Sequence, residues 1–317
     1  MSVQAYDRRL LLKVSQLFYR AGLSQTEIAE RLRLSRFQVA RMLRIALDDG
    51  YVTVKILEPD RWHADLERNL EQRFGLRAAI VVDSEDIERD EAKLRAADVA
   101  GRYLADVLAD GDVLGISLGS SVQSVVDQLP DRIDKRVEVV QLIGGSTRVA
   151  SELNSMTLTA NLARRFRSDP HLLFAPAVVA AGSIRQALLE DREISDTFAF
   201  FPQLTIALLG IGSLAQGDTS RLLYGGLIDP GSLQDLLAKG AVGDVLSYVY
   251  DCGGVILNSA AEQRMIAIPP QSLLAVPHRI GVATGKAKAA AIIGALAGGM
   301  VNVLVTDSQA ALAICNG

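Results

Sequence analysis

Short apolar segments recur through most of this chain and alternate with segments of helical periodicity. This alternation is typical of a doubly wound, mostly parallel sheet that is covered by helices on both faces. Strands are predicted at residues 79–82, 113–116, 137–142, 204–209, 280–283 and 301–305. Helices are predicted at residues 92–108, 121–129 and 153–166, and an alanine-rich helix follows each of the last two strands. Residues 58–317 are therefore predicted to form an α/β domain.

The positive charge of the chain is concentrated in its first 57 residues. These hold ten Lys and Arg side chains against five Asp and Glu, an excess of five positive charges. The whole chain carries a net charge of −4, so the remaining residues carry −9. A small basic segment joined to a larger acidic one indicates that the basic segment binds a polyanion.

The basic segment has the pattern of a helix-turn-helix. A first helix is predicted within residues 7–20, a second begins at Ser24, and a third begins at Ser35 and turns residues 39, 42, 43 and 47 inward. Ser24 and Glu27 have the spacing of a capping box, in which each side chain accepts a hydrogen bond from the other residue's backbone N–H. The short turn of this motif often uses a left-handed glycine, and here Arg33 stands in that turn.

In this motif the start of the second helix of the pair enters the major groove of DNA, where Arg can read guanine and Gln can read adenine. The residues predicted to contact DNA are Ser24, Gln25, Ser35, Arg36, Phe37, Gln38, Arg41 and Arg44. A strand predicted at residues 51–56 would add a β-wing, so that residues 1–57 form a winged helix-turn-helix domain. The alternative is a helical hairpin with a solvated basic face.

Glycine-rich loops follow most of the predicted strands of the acidic segment. They include residues 119–121, 144–147, 210–213, 251–254 and 284–288. Small residues let backbone N–H groups approach a ligand, and a helix N-terminus favours an anion. Because ligands of such sheets bind beyond the carboxyl ends of the strands, the loops predict a pocket for a small molecule. The alternative is that the glycines only allow tight turns.

Enzyme alternatives come from residues 115–119, which read Gly-Ile-Ser-Leu-Gly, a pattern of the nucleophile elbow of α/β-hydrolases. A hydrolase needs a later histidine, and His278 is predicted to lie in a surface loop just before a strand. The helix is predicted to begin beyond Gly119, so Ser117 would not occupy the sharp turn of an elbow. A sugar-phosphate isomerase would need a carboxylate base such as Asp251 or Asp307, although Asp307 has the position of a helix N-cap. The chain is therefore predicted not to be an enzyme and to need neither cofactor nor metal.

Over nearly its full length the chain resembles the SorC family of bacterial transcription regulators, which is close to DeoR. The resemblance lies in the stretches LSQTEIAERLRLSRFQVARMLRIALDDGYV, VLGISLGSSV, VVQLIGG, FAPA, ALLGIGSL, GAVGDVLSYVYD and IGVATGKAKAAAIIGALAGGMVNVLVTDSQAA. It implies a sugar-binding domain with the fold of sugar-phosphate isomerases and glucosamine-phosphate deaminases, without their catalysis. It also implies a dimer or tetramer on double-stranded operator DNA, which controls a carbohydrate or polyol catabolic operon in response to a phosphorylated sugar or polyol.

The resemblance also assigns the effector site by position. Gly119, Ser120 and Ser121 are expected to hold the phosphate of the effector, and Asp251 is expected to accept hydrogen bonds from its hydroxyl groups. Lys288 resembles the family's lysine near the ligand, and the neighbouring Lys286 is an alternative of lower rank. Gly144 and Gly145, which end the third long strand, complete the predicted site.

A cytoplasmic location without a membrane partner is expected. The N-terminal apolar run contains charges and lacks the small-residue cleavage site of a secretory signal. Residues 289–305 are uncharged, but they are shorter than the roughly 20 residues of a membrane span and are predicted to form a buried helix and a buried strand. Cys252 and Cys315 have no metal-ligand spacing and are predicted to be buried thiols in a reducing compartment.

Overall fold

A computed structural model describes residues 7–52, 63–145, 155–215, 228–258 and 263–316. The chain divides into two compact units, residues 1–59 and residues 60–317. Within the described ranges, no helix is both long enough and apolar enough to cross a membrane.

The first unit consists of short helices around a small apolar core. Helix α1 (Arg8–Ser15) continues into a π-helical turn (Gln16–Arg20) and is followed by α2 (Gln25–Leu32) and α3 (Arg36–Asp48). The core is formed by Leu11, Val14, Ile28, Ala29, Val39, Met42 and Leu43. The predicted inward position of Leu47 is wrong, since Leu47 is 40% exposed. Ala46 lies one turn from Met42 and Leu43, on their face of the helix, and is buried in its place.

The turn between α2 and α3 contains the predicted left-handed residue. Arg33 has a φ of 55°, and the N–H of Leu34 donates to the Ala29 carbonyl at 2.8 Å. A side chain in this conformation costs about 1 kcal/mol relative to glycine. The predicted wing strand lies mostly outside the described residues, because only Tyr51 and Val52 of its span are described, and the wing stays a prediction.

The second unit contains all ten strands of the described residues. They are β1 (Ala78–Val82), β2 (Val113–Ile116), β3 (Glu138–Gln141), β4 (Pro170–His171), β5 (Ile206–Gly210), β6 (Gly212–Ser213), β7 (Ala241–Val245), β8 (Tyr248–Asp251), β9 (His278–Val282) and β10 (Val303–Asp307). Seven of them form a parallel sheet in the order β1-β10-β9-β5-β2-β3-β4. The other three form a small antiparallel sheet in the order β6-β7-β8. The predicted doubly wound, mostly parallel α/β architecture is confirmed.

Helices cover both faces of the large sheet. The α-helices described in the second unit are α4 (Ala64–Phe74), α5 (Arg89–Val107), α6 (Ser120–Gln128), α7 (Ser155–Phe166), α8 (Gly182–Glu190), α9 (Arg192–Phe198), α10 (Pro230–Ala238), α11 (Pro270–Ala275), α12 (Ala289–Ala297) and α13 (Ser308–Cys315). Neighbouring residues of a strand face opposite sides of a sheet. Accordingly, Leu208 packs in the cluster that includes α5 and α6, whereas Leu209 packs in the cluster that includes α12 and α13.

The strand order places a crevice between β2 and β5. From β2 the chain continues outward to β3 and β4 on one side, and from β5 it continues to β9 and β10 on the other side. The loops after β2 and β5 therefore leave the sheet in opposite directions. Such a reversal is the position at which open α/β sheets bind ligands.

The predicted burial of residues 289–305 is confirmed, whereas the predicted burial of the two cysteines is not confirmed for Cys252. Residues 289–305 form the buried helix α12 and continue into the buried strand β10, as predicted. The prediction that both cysteines are buried is wrong for Cys252, which is exposed in the turn after β8. Cys315 is partly buried, and burial raises the pKa of its thiol.

Candidate functional site

Ser117 joins the two strands that border the crevice. Its N–H donates to the Leu208 carbonyl at 3.0 Å, and its Oγ accepts from the N–H of Gly210 at 3.1 Å. Its side chain is buried, with 3% of its surface exposed. Helix α6 begins only at Ser120, with Gly119 as its N-cap residue. Ser117 is therefore a structural bridge between β2 and β5 and does not occupy the turn of a nucleophile elbow.

The N-terminus of α6 opens into this crevice. Gly119 is buried, Ser120 is exposed and Ser121 is partly buried. The first N–H groups of an α-helix have no partner within the helix, and the helix dipole adds a positive potential there. A phosphate or carboxylate is stabilised at such a position. The β5 loop borders it closely, because a Cβ at Gly210 would lie 4.0 Å from the carbonyl oxygen of Leu118.

Lys288 reaches the same crevice from the loop after β9. Its Nζ donates to the carbonyl of Ile211, directly after β5, at 2.8 Å. Lys288 is partly buried, whereas Lys286 is exposed. The strand order β9-β5-β2 makes the three loops neighbours at one edge of the sheet. The structure thus brings Lys288 beside the β5 loop, which also borders the N-terminus of α6.

Asp307 fixes the loop that carries Lys288. Its Oδ1 accepts from the N–H of Ala310 at 2.8 Å, which confirms the predicted N-cap of α13. Its Oδ2 accepts from the N–H of Gly285 at 2.9 Å, a contact between β10 and the β9 loop that sequence reasoning missed. Burial raises the pKa of the Asp307 carboxyl, and these hydrogen bonds oppose the increase. Both oxygens therefore act in the loop structure, which leaves little capacity for a role as catalytic base.

Gly144 and Gly145 do not offer their N–H groups to a ligand. The N–H of Gly144 donates to the Ile266 carbonyl at 2.8 Å, and that of Gly145 donates to the Ala175 carbonyl at 2.9 Å. A Cβ at Gly144 would lie 2.6 Å from the Ala175 oxygen, so glycine is required there for close backbone packing. These N–H groups are therefore used by the fold itself, and a place of Gly144 and Gly145 in the effector site stays a prediction.

Asp251 is separated from the other predicted effector residues. It ends β8 of the antiparallel sheet, and its Oδ1 accepts from the N–H groups of Gly253 and Val255 at 2.9 and 3.0 Å. A Cβ at Gly294 would lie 2.5 Å from the Asp251 carbonyl oxygen, so Asp251 packs beside the middle of α12. Six residues of helix, about 9 Å, separate Gly294 from Lys288. The expected contact of Asp251 with the effector stays a prediction.

His278 does not complete a hydrolase triad with Ser117. His278 is the first residue of β9 and pairs with Ile206 at the start of β5, at the amino edge of the sheet. Ser117 lies beyond the carboxyl end of β2, so the sheet separates the two side chains. Burial is the main factor that lowers the pKa of His278, and the positive charge of Arg77 lowers this pKa further. The loop position predicted for His278 is wrong, because the strand begins two residues earlier than Ile280.

The predicted DNA-binding residues lie around the two capped helices of the first unit. Ser24 and Glu27 form the predicted capping box of α2, and the hydrogen bond to the Ser24 backbone lowers the pKa of Glu27. Gln25 is partly buried at the start of α2. Arg36, Phe37, Arg41 and Arg44 are exposed along α3. Phe37 is 77% exposed.

A second capping box, which sequence reasoning missed, lies at the start of α3. The Oε1 of Gln38 accepts from the N–H of Ser35 at 2.8 Å, and the Oγ of Ser35 accepts from the N–H of Gln38 at 3.2 Å. The spacing Ser-x-x-Gln is the sequence signal that would have revealed it. The amide oxygen of Gln38 is thus engaged at the start of its own helix.

Gln38→Ala is expected to lower the free energy of unfolding by about 0.5–1 kcal/mol, because it removes one half of this capping box. Gln38→Glu is the matched control and should retain the stability, since glutamate accepts the same hydrogen bond. Urea unfolding followed by circular dichroism would measure both variants. Equal stability of wild type and Gln38→Ala would contradict the contribution of the box.

Comparison with known proteins shows that this chain is similar to bacterial regulators over both units. Residues 61–316 match the family described as "Putative sugar-binding domain". The sorbitol operon regulator of Klebsiella pneumoniae is 33% identical over 310 residues, which cover 96% of this chain and 97% of that protein. The deoxyribonucleoside regulator of Bacillus subtilis (strain 168) is 31% identical over 309 residues, with 98% of each chain covered.

A solved structure shows the same architecture over both units. The crystal structure of the full-length sorbitol operon regulator SorC from Klebsiella pneumoniae matches with a TM-score of 0.90 and 30% sequence identity. The match covers 98% of this chain and 100% of that chain. These relatives are regulators by name, and none of them is named as an enzyme. The chain belongs to the SorC family of transcriptional regulators that carry this sugar-binding domain.

Proposed function

We propose that this protein binds double-stranded operator DNA and regulates a carbohydrate or polyol catabolic operon in response to a phosphorylated sugar or polyol. The observation that carries the effector part is the crevice between β2 and β5, where the N-terminus of α6 and Lys288 border the β5 loop. The names of the relatives support the regulatory part, since one is a sorbitol operon regulator and another a deoxyribonucleoside regulator.

The proposed effector site consists of Gly119, Ser120, Ser121 and Lys288. The N–H groups and hydroxyls at the start of α6 donate to the phosphate, and Lys288 adds a positive charge beside them. Charge-assisted hydrogen bonds of this kind are shorter and stronger than neutral ones. The sugar or polyol hydroxyls then extend over the loop after β5.

The proposed DNA-binding domain is the winged helix-turn-helix of residues 1–57, and the effector and oligomerisation domain is residues 58–317. The start of α3 enters the major groove, with Ser35 and Arg36 at base edges or phosphates, and Arg41 and Arg44 at phosphates. Ser24 and Gln25 at the start of α2 contact the DNA backbone. The protein acts in the cytoplasm as a homo-oligomer, a dimer or tetramer whose paired domains meet two half-sites.

Control is proposed to be allosteric. Effector binding orders the loops at the carboxyl edge of the sheet and shifts the arrangement of the subunits, which changes the spacing of the DNA-binding domains. In such a mechanism the two sites are linked by a coupling free energy, and this coupling is reciprocal. DNA must therefore change the affinity for the effector by the same factor by which the effector changes the affinity for DNA.

The test is operator binding by the full-length chain with and without a panel of sugar and polyol phosphates and their unphosphorylated parents. At least one phosphorylated compound is expected to change the DNA dissociation constant about fivefold or more, the lower range of typical allosteric coupling. A specific duplex whose affinity no compound alters would refute the effector part. Failure to select any duplex over random DNA would refute the DNA-binding part.

A further inference from the structure

Phe37 is the most exposed large apolar side chain of the described residues, with 77% of its surface accessible. It is the second residue of α3, directly between Arg36 and Gln38. The described core of the first unit is built from other side chains, chiefly Val14, Ile28 and Met42. The ring therefore adds little to the stability of this unit, and its position at the tip of the helix calls for a different explanation.

The neighbours of Phe37 limit what the start of α3 can read. The amide oxygen of Gln38 is held by the N–H of Ser35, and the hydroxyl of Ser35 is held by the N–H of Gln38. Both side chains thus serve the capping box. The exposed groups left at the first two positions of the helix are the guanidinium of Arg36 and the ring of Phe37.

The major groove offers one kind of apolar group to such a ring. Base edges there present hydrogen-bond donors and acceptors, except that thymine also presents its C5-methyl group. A phenyl ring has neither donor nor acceptor, so it distinguishes bases through this methyl group. We propose that Phe37 is a specificity-determining residue that selects thymine in each half-site by apolar contact with the C5-methyl. This inference rests on the proposed DNA-binding function and adds to it the base that one residue reads.

Removal of the methyl group alone tests the contact. A specific duplex is first selected from random sequence by the full-length protein. Each thymidine is then replaced in turn by deoxyuridine, which keeps the hydrogen-bonding groups and removes only the methyl. Wild-type protein is expected to bind about fourfold more weakly when one particular thymine of each half-site is replaced. This factor corresponds to the loss of one buried methyl-sized group. Phe37→Ala should bind the unmodified duplex more weakly and show no further loss at that thymine.

Two variants separate this contact from a general effect. Phe37→Leu keeps an apolar side chain and should retain part of the discrimination between thymine and uracil. Phe174→Ala removes another exposed phenylalanine, 59% accessible in the second unit, and should leave the discrimination unchanged. Thermal unfolding of Phe37→Ala should match that of wild type, because the ring is exposed.

Several outcomes would overturn the proposal. If wild type and Phe37→Ala lost the same affinity at every deoxyuridine, the methyl would be read elsewhere. If no deoxyuridine weakened wild-type binding although Phe37→Ala bound poorly, the ring would act as a wedge between bases or on the sugar-phosphate backbone. Both results would leave the DNA-binding function intact. A failure to select any duplex would refute that function, and this inference with it.

Discussion

Lys288→Met is expected to lower the affinity of the protein for a phosphorylated effector by about tenfold to a hundredfold. The side chain of Lys288 is held toward the crevice by its hydrogen bond to the Ile211 carbonyl, 2.8 Å away. A hydrogen bond from a charged group contributes roughly 1.5–3 kcal/mol, which corresponds to this range. Methionine retains most of the length and apolar contact of the lysine stem but removes the charge. Isothermal titration with the effector found in the operator assay would measure the loss.

Lys286→Met provides the matched control for this variant. Lys286 lies two residues earlier on the same loop, and its side chain is exposed. Its replacement by methionine removes the same charge as the replacement of Lys288. Its replacement should change effector affinity by less than about threefold, since exposed charges are screened by solvent and salt. Equal losses in both variants would show that only the net charge of the loop matters. An equal loss for the phosphorylated effector and its unphosphorylated parent would place Lys288 away from the phosphate.

Gly254→Ala is expected to lower the free energy of unfolding by about 3 kcal/mol or more. Gly254 has a φ of +81°, and a Cβ added there would overlap the backbone N and Cα of Gly298 and lie 2.8 Å from the Gly294 carbonyl oxygen. The overlapped atoms belong to the end of α12, so neither side can move without shifting a backbone segment. Overpacking of this kind typically costs 1–3 kcal/mol, and the left-handed conformation adds about 1–2 kcal/mol.

Gly240→Ala separates the two contributions to this loss. Gly240 has a φ of +90°, but a Cβ there would meet nothing within 4 Å. Its replacement should therefore cost only the conformational part, about 1–2 kcal/mol. Urea unfolding of both variants would measure the difference. If Gly254→Ala were no less stable than Gly240→Ala, the close packing of the turn after β8 on α12 would not contribute to stability.

Six of the seven strands of the large sheet were predictable because each contains a run of buried apolar residues, whereas the two-residue, partly buried β4 was not predicted. Strand β2 has the predicted bounds, and β5 begins two residues later than predicted, after a 3₁₀ turn that contains Pro202. The antiparallel hairpin of β7 and β8 was not predicted, because its turn lacks the usual turn residues. Its two-residue turn is Leu246-Ser247, with φ of 52° and 67°, where a glycine or asparagine would have given the usual signal.

The candidate effector site could be predicted only in part. A glycine-rich loop in the sequence does not reveal which N–H groups the fold itself uses. The N–H groups of Gly144 and Gly145 are bonded to carbonyls thirty or more residues away in the sequence, whereas Gly119 stands at a helix start, where N–H groups lack helical partners. Nor does the sequence reveal that the Asp251 carboxylate accepts hydrogen bonds within its own turn. Lys288 was predicted from the family resemblance, and the structure places it beside the β5 loop.

The position of β1 at the edge of the large sheet has a consequence during synthesis. Its hydrogen-bonding partner is β10, residues 303–307, so β1 must wait for more than two hundred further residues to be translated. At 5–20 residues per second this takes roughly 10–45 s. The contacts of the three helices in the first unit are local by comparison. The nascent chain can therefore complete the three helices of its first unit while the crevice of the second unit still lacks its final support from β10.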